Sequence, residues 1–148
     1  MALKFTADNM LGGLAKWLRL LGFDTHYLPE GLEKPMPDRI LLTCRSTRPH
    51  QPRLKGWLDI IHLSSNNTQA QLKETIDKLH LGKEDFKPLS RCSICNHLLE
   101  DASKEDVSSL VPEYVLAGHT EFSKCGLCGR IYWPGTHHGR MMTLISDL

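Results

Sequence analysis

Four cysteines are the residues in this sequence best suited to chemistry, because they form two C-x-x-C pairs. The pairs are Cys92 with Cys95 and Cys125 with Cys128, separated by the 29 residues 96–124. Zinc favours four thiolates in a tetrahedron, and a two-residue spacer lets both sulfurs of one turn reach the same ion. The residues after the pairs, Asn96 and Gly129, tolerate the left-handed backbone of such turns. The spacing predicts one structural Zn²⁺, since four thiolates leave no open position for catalysis.

Two independent redox motifs are the alternative for these cysteines. A redox C-x-x-C pair begins a helix after a strand and needs no second pair, so zinc is favoured. The total of five cysteines is odd and nothing indicates secretion, which argues against a disulfide framework. The fifth, Cys44, follows an apolar run and is expected to be a half-buried thiol.

Length and composition are those of one soluble globular chain. The 148 residues are 41% hydrophobic and 24% charged. No window approaches the roughly 20 apolar residues of a membrane helix, and the first ten residues lack the pattern of a signal peptide. We therefore expect a cytoplasmic protein with no membrane partner. The net charge of +1 indicates no partner by itself.

Short apolar segments alternate with helical patterns along the first half of the chain. The strand-like segments are 3–7, 23–28, 40–43 and 57–63, and the helical ones are 10–21 and 68–81. Thr68 with Gln71 forms a capping-box pattern, and Gly22 and Gly82 are the expected helix stops. The alternation predicts an α/β fold with a small, mostly parallel sheet flanked by helices. We expect this domain over residues 1–85, a linker at 83–90, and a zinc ribbon over 90–148.

Asp8 follows the first predicted strand. Open α/β sheets place their ligand sites at the carboxyl ends of strands, so Asp8 is a candidate metal ligand. A nuclease site would need several carboxylates there to hold Mg²⁺ or Mn²⁺. The alternative is an aspartate that caps the turn before the first helix, and the sequence leaves both interpretations open.

Two segments have the residue types that contact RNA. The first, residues 39–58, contains no acid and carries Arg39, Arg45, Arg48, Arg53 and Lys55. The second follows the last cysteine pair and carries Trp133, His137 and Arg140, which could stack bases and hold phosphate. The alternatives are a solvated loop for the first segment, and ribbon core and domain junction for the second.

Several blocks of the sequence resemble the Mut-seven C-terminal RNase domain family. They are residues 5–25, the Arg-Ile-Leu-Leu-Thr segment at 39–43, the cysteine turn at 91–96 with Leu98, and the segment 125–137 that ends in Tyr-Trp-Pro-Gly-Thr-His. The resemblance covers nearly the whole chain. It implies a PIN-like nuclease fold followed by a zinc ribbon, with metal-dependent ribonuclease activity. The leading aspartate of the family's first motif falls on Asp8.

The chain departs from the family pattern in two places. Residues 29–38 are too short and proline-rich for the acidic helical segment that the family carries there. After the third strand the family has Thr-Arg-Asp, whose aspartate is an expected metal ligand, whereas this chain has Thr43-Cys44-Arg45. Replacing a ligand by a cation lowers metal affinity strongly.

Three hypotheses follow. The first is a Mg²⁺- or Mn²⁺-dependent ribonuclease in which Asp8 holds the metal and Asp24 or Asp38 assists. The second is a degenerate relative that binds RNA, or an RNA–protein assembly, through the two basic and aromatic segments without cutting. The third is a zinc-stabilised protein-interaction adaptor.

Overall fold

A parallel sheet of four short strands forms the first part of the fold. The computed structural model describes residues 2–30, 34–45 and 55–146, apart from the side chains of His137 and Leu144. The strands are β1 (Lys4–Ala7), β2 (Asp24–Tyr27), β3 (Ile40–Thr43) and β4 (Asp59–His62). They pair in the order β2-β1-β3-β4, and every pair is parallel. Each strand lies within a predicted segment, and the predicted α/β fold is confirmed.

Two helices accompany this sheet. A 3-10 turn (Asn9–Leu11) leads into α1 (Gly12–Leu20), which contacts β1, β2 and α2 (Thr68–Leu79). The N-cap of α2 is Asn67, whose side-chain oxygen accepts the N–H of Ala70 at 2.9 Å, so the cap lies one residue before the predicted Thr68. The helix ends at His80 (φ 53°) and not at Gly82. Both ends follow ordinary capping chemistry at a neighbouring residue.

The C-terminal part is an antiparallel sheet with short helices. Its strands are β5 (Leu99–Ala102), β6 (Phe122–Cys125) and β7 (Ile131–Tyr132), and its helices are α3 (Lys104–Val107), α4 (Glu113–Gly118) and α5 (Thr136–Ser146). A second small core of Val107, Val115 and Phe122 lies here, with Trp133 packed against it. The sequence pattern does not predict α5. In the described ranges, every helix is too short or too polar to cross a bilayer.

The segment predicted as a linker, 83–90, packs against the first part of the chain. The N–H groups of Lys87 and Leu89 donate to carbonyl oxygens at the end of α1, at 2.7 and 2.9 Å. Phe86 lies edge-on to Phe23, with ring centroids 6.0 Å apart. The segment therefore packs against the end of α1, and its role as a linker between domains stays a prediction.

Helix α5 returns to the core of the parallel sheet. Met141 is 0% exposed and Ile145 is 5% exposed, and both belong to the same buried cluster as Phe5 and Leu14. The last helix thus packs with the first strand. The domain division near residues 85–90 stays a prediction.

Candidate metal centre and Asp8 site

The four cysteine sulfurs converge in the C-terminal part. All four lie within 4.8 Å of one another, and Cys92 Sγ is 3.7 Å from Cys128 Sγ. A tetrahedral zinc ion with Zn–S bonds of about 2.3 Å requires sulfurs about 3.8 Å apart. The thiols are free, and 3.7 Å is far longer than a disulfide bond of about 2.05 Å. The cluster could therefore hold a zinc ion.

The same local turn presents each cysteine pair. The N–H of Asn96 donates to the Cys92 carbonyl at 2.9 Å, and the N–H of Gly129 donates to the Cys125 carbonyl at the same distance. Asn96 has φ 63° and Gly129 has φ 78°, which is the left-handed backbone that the sequence predicts at both positions. The two turns therefore present their sulfurs with matching geometry.

Hydrogen bonds around the cluster favour ionisation of one thiol and oppose that of another. Burial raises the pKa of Cys92, but hydrogen bonds from Tyr132 and the Cys95 N–H outweigh it and hold the pKa at about 7. A hydrogen bond with Cys128, burial and the Cys92 charge raise the pKa of Cys95 to about 12. Metal binding requires deprotonated thiols, so a bound cation would favour the thiolate form of Cys95 against these effects.

Arg19 joins the first cysteine turn to the parallel sheet. Its Nε donates to the Thr25 carbonyl at 2.9 Å, and its Nη1 donates to the carbonyls of Ser93 and Ile94 at 3.0 and 3.1 Å. One guanidinium thus satisfies carbonyl groups from β2 and from the loop between Cys92 and Cys95. These hydrogen bonds hold the first cysteine turn against the parallel sheet.

Asp24 and Arg39 belong to this junction as well. One Asp24 oxygen accepts from Arg39 at 2.9 Å and from Asn96 at 2.7 Å, and Arg39 also donates to the Phe5 carbonyl at 2.8 Å. Burial raises the pKa of Asp24, but the hydrogen bonds from Asn96 and Arg39 outweigh it, so the pKa lies below its ordinary value. Both side chains make structural contacts in this junction, and the catalytic role expected for Asp24 and the RNA-binding role expected for Arg39 stay predictions.

Asp8 lies at the carboxyl end of β1, and its carboxylate is fully buried. One oxygen accepts the N–H of Asn9 at 2.7 Å, so Asp8 caps the 3-10 turn, as the structural interpretation predicts. The other oxygen accepts the Thr43 hydroxyl at 2.9 Å and forms an ion pair with Arg45 Nε, also at 2.9 Å. The carboxylate therefore has three protein donors, and one of them is a cation.

The strand register separates the other two candidate acids from Asp8. Asp24 pairs with Lys4 at the start of β1, whereas Asp8 follows the end of that strand. At about 3.3 Å per residue, an offset of four residues places Asp24 roughly 13 Å away along the strand. Asp38 precedes β3, at the same end as Asp24, and pairs with Lys4 at 3.6 Å. The assisting role expected for Asp24 or Asp38 stays a prediction, and in this structure both lie at the opposite end of the strands from Asp8.

Among the residues that the structure describes, only the four cysteines form a group able to hold a metal ion. No second carboxylate joins Asp8 in such a group within those ranges. A Mg²⁺ or Mn²⁺ ion at Asp8 therefore stays a prediction from the family resemblance.

The remaining RNA-binding candidates differ in their surroundings. Arg45 is held by Asp8 and donates to the Asn9 side chain at 3.0 Å. Lys55 and Arg140 are exposed, while Trp133 is half-buried against the second core. Arg48, Arg53 and the side chain of His137 lie outside the described residues. The RNA-binding role of these residues stays a prediction.

A cleft that the sequence does not indicate lies between α1 and the C-terminal part. It has a volume of about 340 Å³, and its lining includes Trp17, Tyr132 and Trp133 together with Lys16 and His138. Helical periodicity assigns Trp17 to the buried face of α1, so its position beside Tyr132 and Trp133 cannot be predicted from the local pattern. The sequence feature that could have indicated the cleft is an aromatic residue, Trp17, directly next to the charged Lys16.

A parallel α/β sheet followed by a small antiparallel sheet with four clustered cysteines, which could hold a zinc ion, defines the class of protein. The chain belongs to the Mut7-C RNAse domain family, whose model matches residues 3–145. The match covers both parts of the fold and confirms the resemblance seen in the sequence. No curated protein and no solved structure matches the chain.

Proposed function

We propose that this protein is an RNA-binding member of its family that does not cleave RNA through a metal ion at Asp8. Membership of an RNase domain family supports RNA as the ligand. The proposal that no metal ion at Asp8 cleaves the RNA rests on the ion pair between Arg45 Nε and the fully buried Asp8 carboxylate, at 2.9 Å.

The ion pair opposes a metal ion both chemically and electrostatically. Mg²⁺ takes six oxygen ligands in a near-octahedral arrangement, usually including one or two carboxylates. The Asp8 carboxylate already accepts from three protein donors. A divalent ion about 4 Å from the Arg45 guanidinium would meet a repulsion of roughly 8 kcal/mol at an effective dielectric constant of 20. Metal binding at Asp8 would therefore require Arg45 to leave.

The cysteine cluster has a scaffolding role in this proposal. Zn²⁺ held by Cys92, Cys95, Cys125 and Cys128 would stabilise the ribbon. The hydrogen bonds of Arg19 and Asn96 would then hold the first cysteine turn against the sheet. Four thiolates leave no position for water or substrate, so this zinc does not cut RNA. An RNA–protein assembly is a further proposed partner, and the cytoplasmic location stays a prediction.

The test combines cleavage and binding on the same preparation. The zinc-loaded protein is incubated with single-stranded and structured RNA in Mn²⁺, Mg²⁺ or EDTA, with zinc content measured throughout, alongside Asp8→Asn. We expect salt-sensitive binding and intact RNA under all three conditions. Mn²⁺-dependent cleavage that Asp8→Asn abolishes would overturn the proposal. The absence of any RNA binding would instead favour the protein-interaction adaptor.

A charge replacement at Arg45 tests the site directly. Arg45→Asp places a second carboxylate beside Asp8, so that variant should be destabilised in EDTA and restabilised by Mn²⁺. The unfolding temperature should rise with Mn²⁺ by about 2–4 °C per kcal/mol of binding energy. The matched control is Arg130→Asp at an exposed position, which makes the same change in charge. Equal Mn²⁺ stabilisation of the unmodified protein would show that Asp8 already binds metal.

A further inference from the structure

The cleft between α1 and the C-terminal part is separate from both sites described above. Neither Asp8 nor any cysteine lines it, whereas three aromatic residues do: Trp17, Tyr132 and Trp133. Its volume of about 340 Å³ is near the lower end of the range of roughly 300–1,000 Å³ for small-ligand sites. That size suits one nucleoside and excludes a duplex.

We propose that this cleft binds one base of a single-stranded RNA, an inference that rests on the proposed function. Proteins bind single strands by stacking bases on aromatic side chains, and the interaction tolerates any base because each has a π-face. Aromatic residues from α1 and from the segment after β7 line the same cleft here, so a base can enter between elements far apart in sequence.

Two polar groups of the lining match a nucleotide. Lys16 is exposed and lines the cleft, where its ammonium can reach a phosphate beside the bound base. His138 Nδ1 is buried and has no hydrogen-bond partner within the described part of the chain. A base edge carries both donors and acceptors, so it can supply the partner that this nitrogen lacks once the ring turns toward the ligand.

The metal turn holds one wall of the cleft in place. The Tyr132 hydroxyl lies 3.1 Å from Cys92 Sγ and accepts the N–H of Ser93 at 3.0 Å. Trp133 packs against the second core. Rigid aromatic walls lose little conformational freedom when a ligand binds, which favours affinity.

The first experiment compares two oligonucleotides. The zinc-loaded full chain is titrated with a fluorescent oligoadenylate and with the same strand lacking its bases, and binding is followed by anisotropy. Stacking of one base contributes about 1–3 kcal/mol, so the abasic strand should bind roughly 5- to 150-fold more weakly.

Two variant pairs locate the effect. Thr136→Trp adds bulk at an exposed position of the cleft and should reduce oligoadenylate binding to the abasic level. Thr143→Trp, exposed on the same helix but outside the cleft, should bind normally. Lys16→Gln should reduce the slope of log K against log salt by about 0.7, whereas Lys73→Gln on α2 should leave it unchanged.

The outcomes separate this inference from the proposed function. Equal affinity for both strands, or normal binding by Thr136→Trp, would overturn the cleft as a base site while leaving RNA binding intact. Failure of both strands to bind would remove RNA binding, and the base site with it.

Discussion

The ion pair between Arg45 and Asp8 makes a quantitative prediction about stability. Arg45→Met leaves the Asp8 carboxylate, 0% exposed, without its cation. Breaking a buried pair on one side typically costs 3–5 kcal/mol. Arg45 is 42% exposed, so water screens the pair, and the donors from Asn9 and Thr43 remain. We therefore expect a loss of about 2–3 kcal/mol, or roughly 4–12 °C in unfolding temperature for a chain of this size.

A double-mutant cycle isolates the contribution of the pair. Asp8→Asn, Arg45→Met and the double variant are unfolded in urea at pH 7 with zinc bound, and Arg130→Met at an exposed position is the control. Once Asp8 is uncharged, removing Arg45 should cost little, so the coupling energy should exceed about 1 kcal/mol. Additive losses, with a coupling below about 0.5 kcal/mol, would refute the reasoning. They would mean that the pair contributes nothing in solution and that Asp8 is available to a metal.

Three further predictions concern the scaffold. Although burial favours its neutral form, hydrogen bonds from Lys78 and Ser65 hold the pKa of Glu74 at about 2, below its ordinary 4.5. The stabilisation that the Glu74 carboxylate provides is therefore complete above about pH 5 and lost as the pH falls toward 2. In urea unfolding, Glu74→Gln should lower the free energy of unfolding by about 1–3 kcal/mol at pH 7 and by progressively less toward pH 3. A loss that does not depend on pH would contradict this. A Cβ on Gly22, at φ 98°, would meet a backbone carbonyl oxygen at 2.6 Å. Gly22→Ala should therefore lower the free energy of unfolding by about 2–4 kcal/mol in the same assay. The control Gly118→Ala, with open space around its Cβ, should cause no such loss. Removal of zinc by a strong chelator should lower the unfolding temperature in calorimetry and restore it on zinc addition, and an unchanged transition would argue against a structural metal.

Local patterns in the sequence were sufficient to predict strands β1 to β4 and the two cysteine turns. A cysteine pair with a two-residue spacer determines its own turn, and the left-handed backbone of Asn96 and Gly129 follows from residue type. Strand β3 coincides with a short apolar run, and β1, β2 and β4 lie within the other predicted segments. In these segments the chemistry of near neighbours decides the structure.

Partners distant in sequence explain what the patterns could not predict. Asp24 looks like a free acid, but its hydrogen-bond partner Asn96 lies 72 residues further along the chain. Helix α5 begins at Thr136 and contains Gly139, both poor helix formers, so its stability comes from burial of Met141 and Ile145 in a distant core. Arg45 likewise finds Asp8 only because β1 and β3 are adjacent in the sheet.

Helix α5 also bears on the order in which the chain can fold. Met141 and Ile145 share a core with residues of β1 and α1, so contacts between the two ends of the described chain complete that core. During synthesis the first strand emerges long before α5, so the part of the core that Met141 and Ile145 cover stays open until α5 has been made. Contacts of such long sequence separation slow folding, because a large loop must close before they form. A ribosome-bound chain that ends before α5 should therefore expose apolar surface that the full chain buries.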